Sequence, residues 1–100
     1  MANGKQDIVN AIETYIQKCS GNYYREYYVG ISEDARNRLF NDHKVDEDAG
    51  CWIYDTANSH MAARDVEKHF IAKGMKGGGG GGSEKSDMVY VYQITNSTVE

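Results

Sequence analysis

Six consecutive glycines at residues 77–82 divide the sequence into a long first part and a short second part. Glycines have no side chains to pack and lose much backbone entropy on folding, so this run cannot belong to a core. We therefore expect a flexible Gly-rich loop over residues 76–87. The strongly alternating segment MVYVYQIT, which begins at Met88, must return from this loop to the rest of the fold.

Three segments before the glycines have hydrophobic residues at helical spacing. They cover residues 6–19, 32–43 and 58–74. In the first segment, one apolar stripe consists of Ile8, Ile12, Tyr15, Ile16 and Cys19. The third segment has Asn58 or Ser59 as a suitable N-cap and Gly74 as a suitable end.

Three further segments alternate as strands do: residues 22–31, 51–56 and 88–95. Helix, strand, helix, strand, helix, loop and strand is therefore the predicted order. This order predicts a two-layer α+β fold, with a small three-stranded, mainly antiparallel sheet flanked by three helices. One hundred residues leave room for one core, so we expect a single domain over residues 1–100.

The sequence has no apolar run near the roughly 18 residues that a membrane span requires. Its mean hydropathy is −0.68, and charges interrupt its first residues, unlike those of a signal peptide. We therefore expect no membrane partner and a cytoplasmic location. Cys19 and Cys51 lie far apart in the chain, and we expect both to be reduced and partly buried rather than joined in a disulfide.

Two features could indicate ligand sites, and each has a simpler interpretation. The glycine run contains the pattern GxGxxG, but a phosphate-binding loop follows a strand and opens a helix, whereas this run follows a helix and precedes a strand. His43 with Asp42, Asp46, Glu47 and Asp48 could bind a hard cation. We favour a linker for the first feature and a solvated acidic loop for the second.

A more specific pattern lies in the segments YYVGISEDARNRL and ARDVEKHFI. The first contains Tyr28-Val29-Gly30 in a predicted strand and Arg38 eight residues after the glycine. The second places Glu67 among the apolar positions of a predicted helix. Together they resemble the GIY-YIG nuclease family, in which a tyrosine-x-glycine strand precedes a helix with a catalytic arginine, and a later helix carries a metal-binding glutamate.

The family's first strand, the GIY element, has no match before Tyr28. The C-terminal segment MVYVYQITN is similar to it instead, with Tyr90-Val91-Tyr92 in place of GIY. We interpret this as a circular permutation, in which the Gly-rich loop is the new connection. The resemblance then implies that the C-terminal strand pairs with residues 23–31 and that Tyr92 and Tyr28 share one face. Tyr90 replaces the family's first glycine, and the asparagine that follows the family's glutamate helix has no clear counterpart.

If the resemblance extends to activity, it implies an endonuclease that hydrolyses DNA phosphodiesters with Mg²⁺ or Mn²⁺. Tyr28, Arg38 and Tyr92 would be the catalytic residues, and Glu67 would hold the metal. The alternative is a non-catalytic module that retains the fold and binds protein or nucleic acid through the same cleft.

Contacts to DNA would have to come from few residues, because the net charge of the protein is −4 and an acidic protein binds nucleic acid poorly in general. A local basic patch on an acidic protein can still bind DNA. Lys68, Lys73 and Lys76, with Lys85, are the cluster that the sequence offers for this purpose.

Overall fold

The computed structural model describes residues 3–19, 23–77 and 85–100. Within these ranges the fold is α+β, as predicted, with helices and one antiparallel sheet. The elements are helix α1 (Lys5–Ile16), strand β1 (Tyr27–Ser32), helix α2 (Ala35–Asn37), which continues into a π-helical turn (Arg38–Asp42), strand β2 (Trp52–Thr56), helix α3 (His60–Lys73) and strand β3 (Met88–Gln93). Of the Gly-rich loop predicted over residues 76–87, residues 78–84 lie outside the described residues, whereas Lys76 hydrogen-bonds to β1 and Ser86 is buried.

Strand β3 lies in the middle of the sheet, in the order β1-β3-β2, and is antiparallel to both neighbours. The predicted pairing of the C-terminal strand with β1 is therefore confirmed. In the register, Tyr28 lies opposite Tyr92, and Gly30 lies opposite Tyr90. The outer edge of β1 is paired with Lys76, whose N–H donates to the Tyr27 carbonyl at 2.9 Å and whose carbonyl accepts from the Val29 N–H at 2.8 Å.

Helices cover both faces of the sheet, so the prediction of two layers is wrong. Helices α1 and α3 pack on one face, where the buried core includes Ile8, Ile12, Val29, Val66, Phe70, Val89 and Val91. Helix α2 and its π-helical turn pack on the other face, where the core includes Ala35, Leu39, Val45, Tyr90 and Tyr92. Strand β3 is buried on both faces in its middle, because positions 89 and 91 are valines and positions 90 and 92 are tyrosines.

Helix α3 begins and ends at the predicted residues. The Ser59 hydroxyl accepts a hydrogen bond from the Ala62 N–H at 3.1 Å, which satisfies one of the free amides of the first turn. Gly74 ends the helix with a φ of +120°, a conformation that favours glycine.

The strand predicted over residues 22–31 begins later than expected. Tyr24–Glu26 form a 3₁₀ turn, in which the Glu26 N–H donates to the Tyr23 carbonyl at 3.1 Å. The Tyr24 hydroxyl donates to the Glu13 carboxylate at 3.0 Å and so ties this turn to α1. The high strand propensity of tyrosine is overridden here by a tertiary contact.

Cys19 and Cys51 form a disulfide, so the prediction of two reduced cysteines is wrong. The fold brings the end of α1 next to the start of β2, where the Trp52 N–H donates to the Tyr15 hydroxyl at 3.3 Å. The two Cα atoms are consequently 6.2 Å apart despite a sequence separation of 32 residues. Among the described residues, no helix has the length and apolar character to cross a membrane.

We expect the Cys19→Ser/Cys51→Ser variant to lose about 3–4 kcal/mol of unfolding free energy, because the disulfide removes chain entropy from the unfolded state in proportion to the logarithm of the loop it closes. Urea unfolding of the oxidised protein and the variant measures this loss. The reducing agent dithiothreitol should destabilise the parent protein and leave the variant unchanged. Equal midpoints for both proteins would contradict the prediction.

Candidate active site

Three tyrosine rings and one imidazole ring lie close together on the face of the sheet that α2 covers. Tyr28 and Tyr92 lie nearly parallel, with ring centroids 5.3 Å apart. The His43 ring lies 4.7 Å from that of Tyr28 and 4.9 Å from that of Tyr92, and Tyr90 completes the group at 5.5 Å from His43. We call these four residues the tyrosine–histidine cluster.

The sheet register and the π-helical turn position this cluster. Tyr28 on β1 and Tyr90 and Tyr92 on β3 share one face because side chains alternate along strands. His43 follows the π-helical turn directly, and its N–H donates to the Arg38 carbonyl at 2.8 Å. The extra residue of this turn therefore aims the imidazole at the tyrosines rather than at solvent.

His43 joins the two tyrosine hydroxyls of β3. Its Nε2 lies 2.9 Å from the Tyr90 hydroxyl, and its Nδ1 lies 3.0 Å from the Tyr92 hydroxyl and 2.7 Å from the Val99 carbonyl oxygen. Because a carbonyl oxygen only accepts, we assign the proton of the neutral ring to Nδ1. Nε2 then accepts from the Tyr90 hydroxyl.

Gly30 is the position in β1 over which the Tyr90 ring lies. A Cβ atom built at Gly30 would overlap the Tyr90 hydroxyl and ring. Position 30 of the Tyr28-Val29-Gly30 motif therefore requires a glycine, because an aromatic side chain from β3 approaches it closely. Tyr90, which departs from the pattern of the family, fills the space that this glycine leaves.

Glu67 lies on the side of α3 that faces the sheet and is only 4% exposed. Its carboxylate oxygens keep some contact with solvent, since the fully buried side-chain atoms without a hydrogen-bond partner in the described part of the chain are His60 Nδ1 and His69 Nε2. Burial raises the pKa of this carboxyl, and the positive charges of Arg64 and Lys68 oppose that rise. An ionisable side chain whose pKa is shifted by burial is a common mark of a functional site.

The charges of Arg38 and Glu67 both change the pKa of the Tyr90 hydroxyl. Burial and the neighbouring Tyr28 raise the pKa of Tyr90, the positive charge of Arg38 lowers it, and the negative charge of Glu67 raises it further. Arg38 is half exposed, and its guanidinium donates to the Asp42 carboxylate at 3.3 Å. The charges of two side chains from different helical segments therefore influence the pKa of the same phenol.

Tyr92 is fully buried, unlike its partner Tyr28, which keeps part of its surface in solvent. The Tyr92 hydroxyl donates to the Val99 carbonyl oxygen at 3.3 Å, in addition to its contact with His43. Burial, with Tyr28 and Tyr90 nearby, raises the pKa of Tyr92. This phenol therefore stays protonated at neutral pH.

The predicted site residues fall into two groups. Tyr28 and Tyr92 are in contact, and the charges of Arg38 and Glu67 reach Tyr90 beside them. The predicted DNA-binding lysines are exposed, with Lys68 next to Glu67, Lys73 at the end of α3 and Lys76 against the edge of β1. In the described part of the chain, no group of three or more His, Cys, Asp or Glu side chains could hold a metal, so the acidic loop around His43 is not such a site.

Two members of the tyrosine–histidine cluster were absent from the predicted set. Tyr90 had a usable signal, since it lies two positions before Tyr92 and must share its face in a strand. His43 had none, because only the π-helical turn directs its ring to the sheet. No protein-family model, no curated protein and no solved structure matches the chain.

We expect Gly30→Ala to lower the unfolding free energy by about 1–3 kcal/mol, because the new methyl group must displace the Tyr90 ring. In a Tyr90→Ala background the same substitution should cost much less. Urea unfolding of the four proteins gives the coupling energy of this double-mutant cycle. Additive effects would show that the ring does not restrict position 30.

We expect Glu67→Gln to stabilise the protein at neutral pH, because it removes the cost of a buried negative charge. The raised pKa means that the folded state holds its proton more tightly than the unfolded state, so this carboxyl destabilises the fold as the pH rises above the ordinary value of about 4.5. The advantage of the variant should therefore disappear below that pH. Unfolding curves between about pH 4 and pH 8 measure it, with the exposed Asp65→Asn as a control.

Proposed function

We propose that this protein is a GIY-YIG-like endonuclease that hydrolyses DNA phosphodiesters with the help of Mg²⁺ or Mn²⁺. The observation that carries the proposal is the 4% exposed Glu67, whose negative charge, like the positive charge of Arg38, affects the pKa of Tyr90 in the tyrosine–histidine cluster. The antiparallel pairing of Tyr92 with Tyr28 supports the permuted arrangement, since it reproduces the strand pair that the motif requires.

Glu67 suits a divalent cation because burial disfavours its negative charge, which a bound cation would stabilise. Oxygen ligands are those that Mg²⁺ and Mn²⁺ prefer, and one protein carboxylate with phosphate and water oxygens is a common set for Mg²⁺. When bound, such a metal polarises a phosphate oxygen and stabilises the leaving group. Glu67 holds the cation in this proposal, and the remaining residues act on the phosphate and on water.

Arg38 is placed to bind the phosphate. Its ion pair with Asp42 is a half-exposed i,i+4 pair at 3.3 Å, which contributes little to stability. The guanidinium can therefore exchange this carboxylate for a phosphate, to which it offers two parallel hydrogen bonds. In that position it also stabilises the charge that develops on the phosphoryl group.

Tyr28 is the group best suited to handle the attacking water. Tyr28 is partly exposed, whereas burial raises the pKa values of Tyr90 and Tyr92 and keeps them protonated. Nε2 of His43 already accepts from Tyr90, so this hydroxyl fixes the orientation of the ring. Of the two tyrosines predicted to be catalytic, Tyr28 then orients the water, and Tyr92 positions His43.

A non-catalytic binding module is the second candidate. The observation in its favour is that side chains of the protein itself occupy the space beside Tyr28. Tyr92 is fully buried, and its hydroxyl contacts His43 and the Val99 carbonyl. Tyr90 likewise occupies the space above Gly30. In this case the same face would bind protein or nucleic acid without cutting it.

The disulfide bears on the compartment in which the protein works. The cytoplasmic location predicted from the sequence stays a prediction. The Cys19–Cys51 disulfide weighs against it, because disulfides persist mainly in oxidising compartments and cytosolic thiols are kept reduced.

We expect the protein to nick supercoiled plasmid DNA in the presence of Mg²⁺ or Mn²⁺, and to lose this activity in Glu67→Gln and in Arg38→Ala. The matched controls are the exposed Asp65→Asn on the same helix and Arg36→Ala two residues before Arg38, and both should cut like the parent protein. Gel quantification of nicked plasmid measures the rates. Equal cutting by Glu67→Gln and the parent would contradict the catalytic proposal.

We further expect Mg²⁺ or Mn²⁺ to raise the melting temperature of the parent protein, since a ligand that binds only the folded state stabilises it by about 1.4 kcal/mol at ten times its Kd. Arg38→Ala should keep this shift, and Glu67→Gln should lose it. A metal shift without nicking would favour the non-catalytic module. The absence of a shift in the parent would remove Glu67 as the metal ligand.

A further inference from the structure

An open groove of about 500 Å³ lies outside the candidate active site, between the 3₁₀ turn before β1 and the end of α3. Its lining consists of Tyr23, Tyr24, Arg25, Lys73 and Gly74. Gly74 allows the chain to turn here, and a Cβ at this position would contact Tyr24. We call this the Tyr23 groove.

Each cation of the Tyr23 groove lies over an aromatic ring. The Arg25 guanidinium is 4.4 Å from the centre of the Tyr23 ring, and the Lys73 ammonium is 5.6 Å from the centre of the Tyr24 ring. Tyr23 is 57% exposed, an unusual state for a large aromatic side chain. The groove thus presents planar surfaces and positive charge together.

The charge of the groove is opposite to that of the whole protein, whose net charge is −4. Two cations and no carboxylate are among its lining residues in the described part of the chain. The nearby Glu13 carboxylate accepts from the Tyr24 hydroxyl, at the far end of that ring from the backbone. The exposed Lys76 follows two residues after Gly74.

We propose that the Tyr23 groove binds single-stranded nucleic acid. An unpaired base stacks on the Arg25–Tyr23 pair, and Lys73 contacts the adjoining phosphate. Aromatic rings and guanidinium planes are the surfaces on which proteins stack unpaired bases, and basic side chains beside them follow the backbone. A paired base in a duplex has no free face to offer such a surface.

The groove lies close to the candidate active site. Lys73 is six residues after Glu67 on α3, which is about 9 Å along the helix axis. Lys76 pairs with the edge of β1 next to Tyr28. In the nuclease proposal, a strand held in the groove continues along α3 toward Glu67, and the substrate is then DNA with an unpaired segment. This last step rests on the proposed function, whereas binding in the groove does not.

The test is fluorescence anisotropy with a labelled oligothymidylate of about ten nucleotides, in EDTA so that no cutting occurs. Tyr23→Ala should weaken binding at least about fivefold, and Tyr23→Phe should bind like the parent. Arg25→Gln/Lys73→Gln should lower the slope of log Kd against log salt by about 0.7 for each lost phosphate contact. Lys5→Gln/Arg36→Gln carries the same change of charge elsewhere and should leave this slope unchanged.

The outcomes separate the groove from the nuclease. Weaker binding by the groove variants, with no nicking by any protein, would support the groove and contradict the proposed function. Nicking by the parent, with groove variants that bind and cut like it, would contradict the groove and leave the nuclease standing. Equal affinity for a duplex of the same length, or equal losses in the charge-matched control, would also overturn the assignment to an unpaired strand.

Discussion

Strand β3 makes every strand-to-strand pairing of the described sheet. Strands β1 and β2 pair only with β3 and not with each other. Because β3 lies near the end of the chain, the sheet depends on contacts between residues far apart in sequence. Such contacts require the closure of long loops before they stabilise anything, and they slow folding. The helices can form earlier, but they have no sheet to pack against until the strand Met88–Gln93 pairs with β1 and β2.

The same strand also creates the candidate active site. Its valines enter the core under α1 and α3, and its tyrosines face α2. The valine core and the tyrosine–histidine cluster thus lie on the two faces of one strand. A substitution at Val91 acts through the core, whereas one at Tyr92 acts through His43 and the Val99 carbonyl.

The pairing of β3 with β1 was predicted from the resemblance of MVYVYQITN and of Tyr28-Val29-Gly30 to two paired strands of a known family, whereas alternation alone sets only which residues of each strand share a face. The helix α3 was predictable because Ser59 and Gly74 act through local contacts. The disulfide was not, because only the assembled fold brings Cys19 and Cys51 together. The position of His43 depends on a π-helical turn, for which residues 38–42 carry no periodic signal.

Both outer edges of the sheet are partly occupied, which limits how this protein can associate with other chains. Lys76 hydrogen-bonds to the edge of β1. At the far end of β2, the Asn3 N–H donates to the Thr56 carbonyl at 2.9 Å. The Tyr15 hydroxyl accepts from the first amide of β2 at 3.3 Å. Exposed strand edges are the usual templates for aggregation and for strand exchange between molecules. These short contacts leave little continuous edge for an incoming strand, so a sheet of only three strands is protected against edge-to-edge polymerisation.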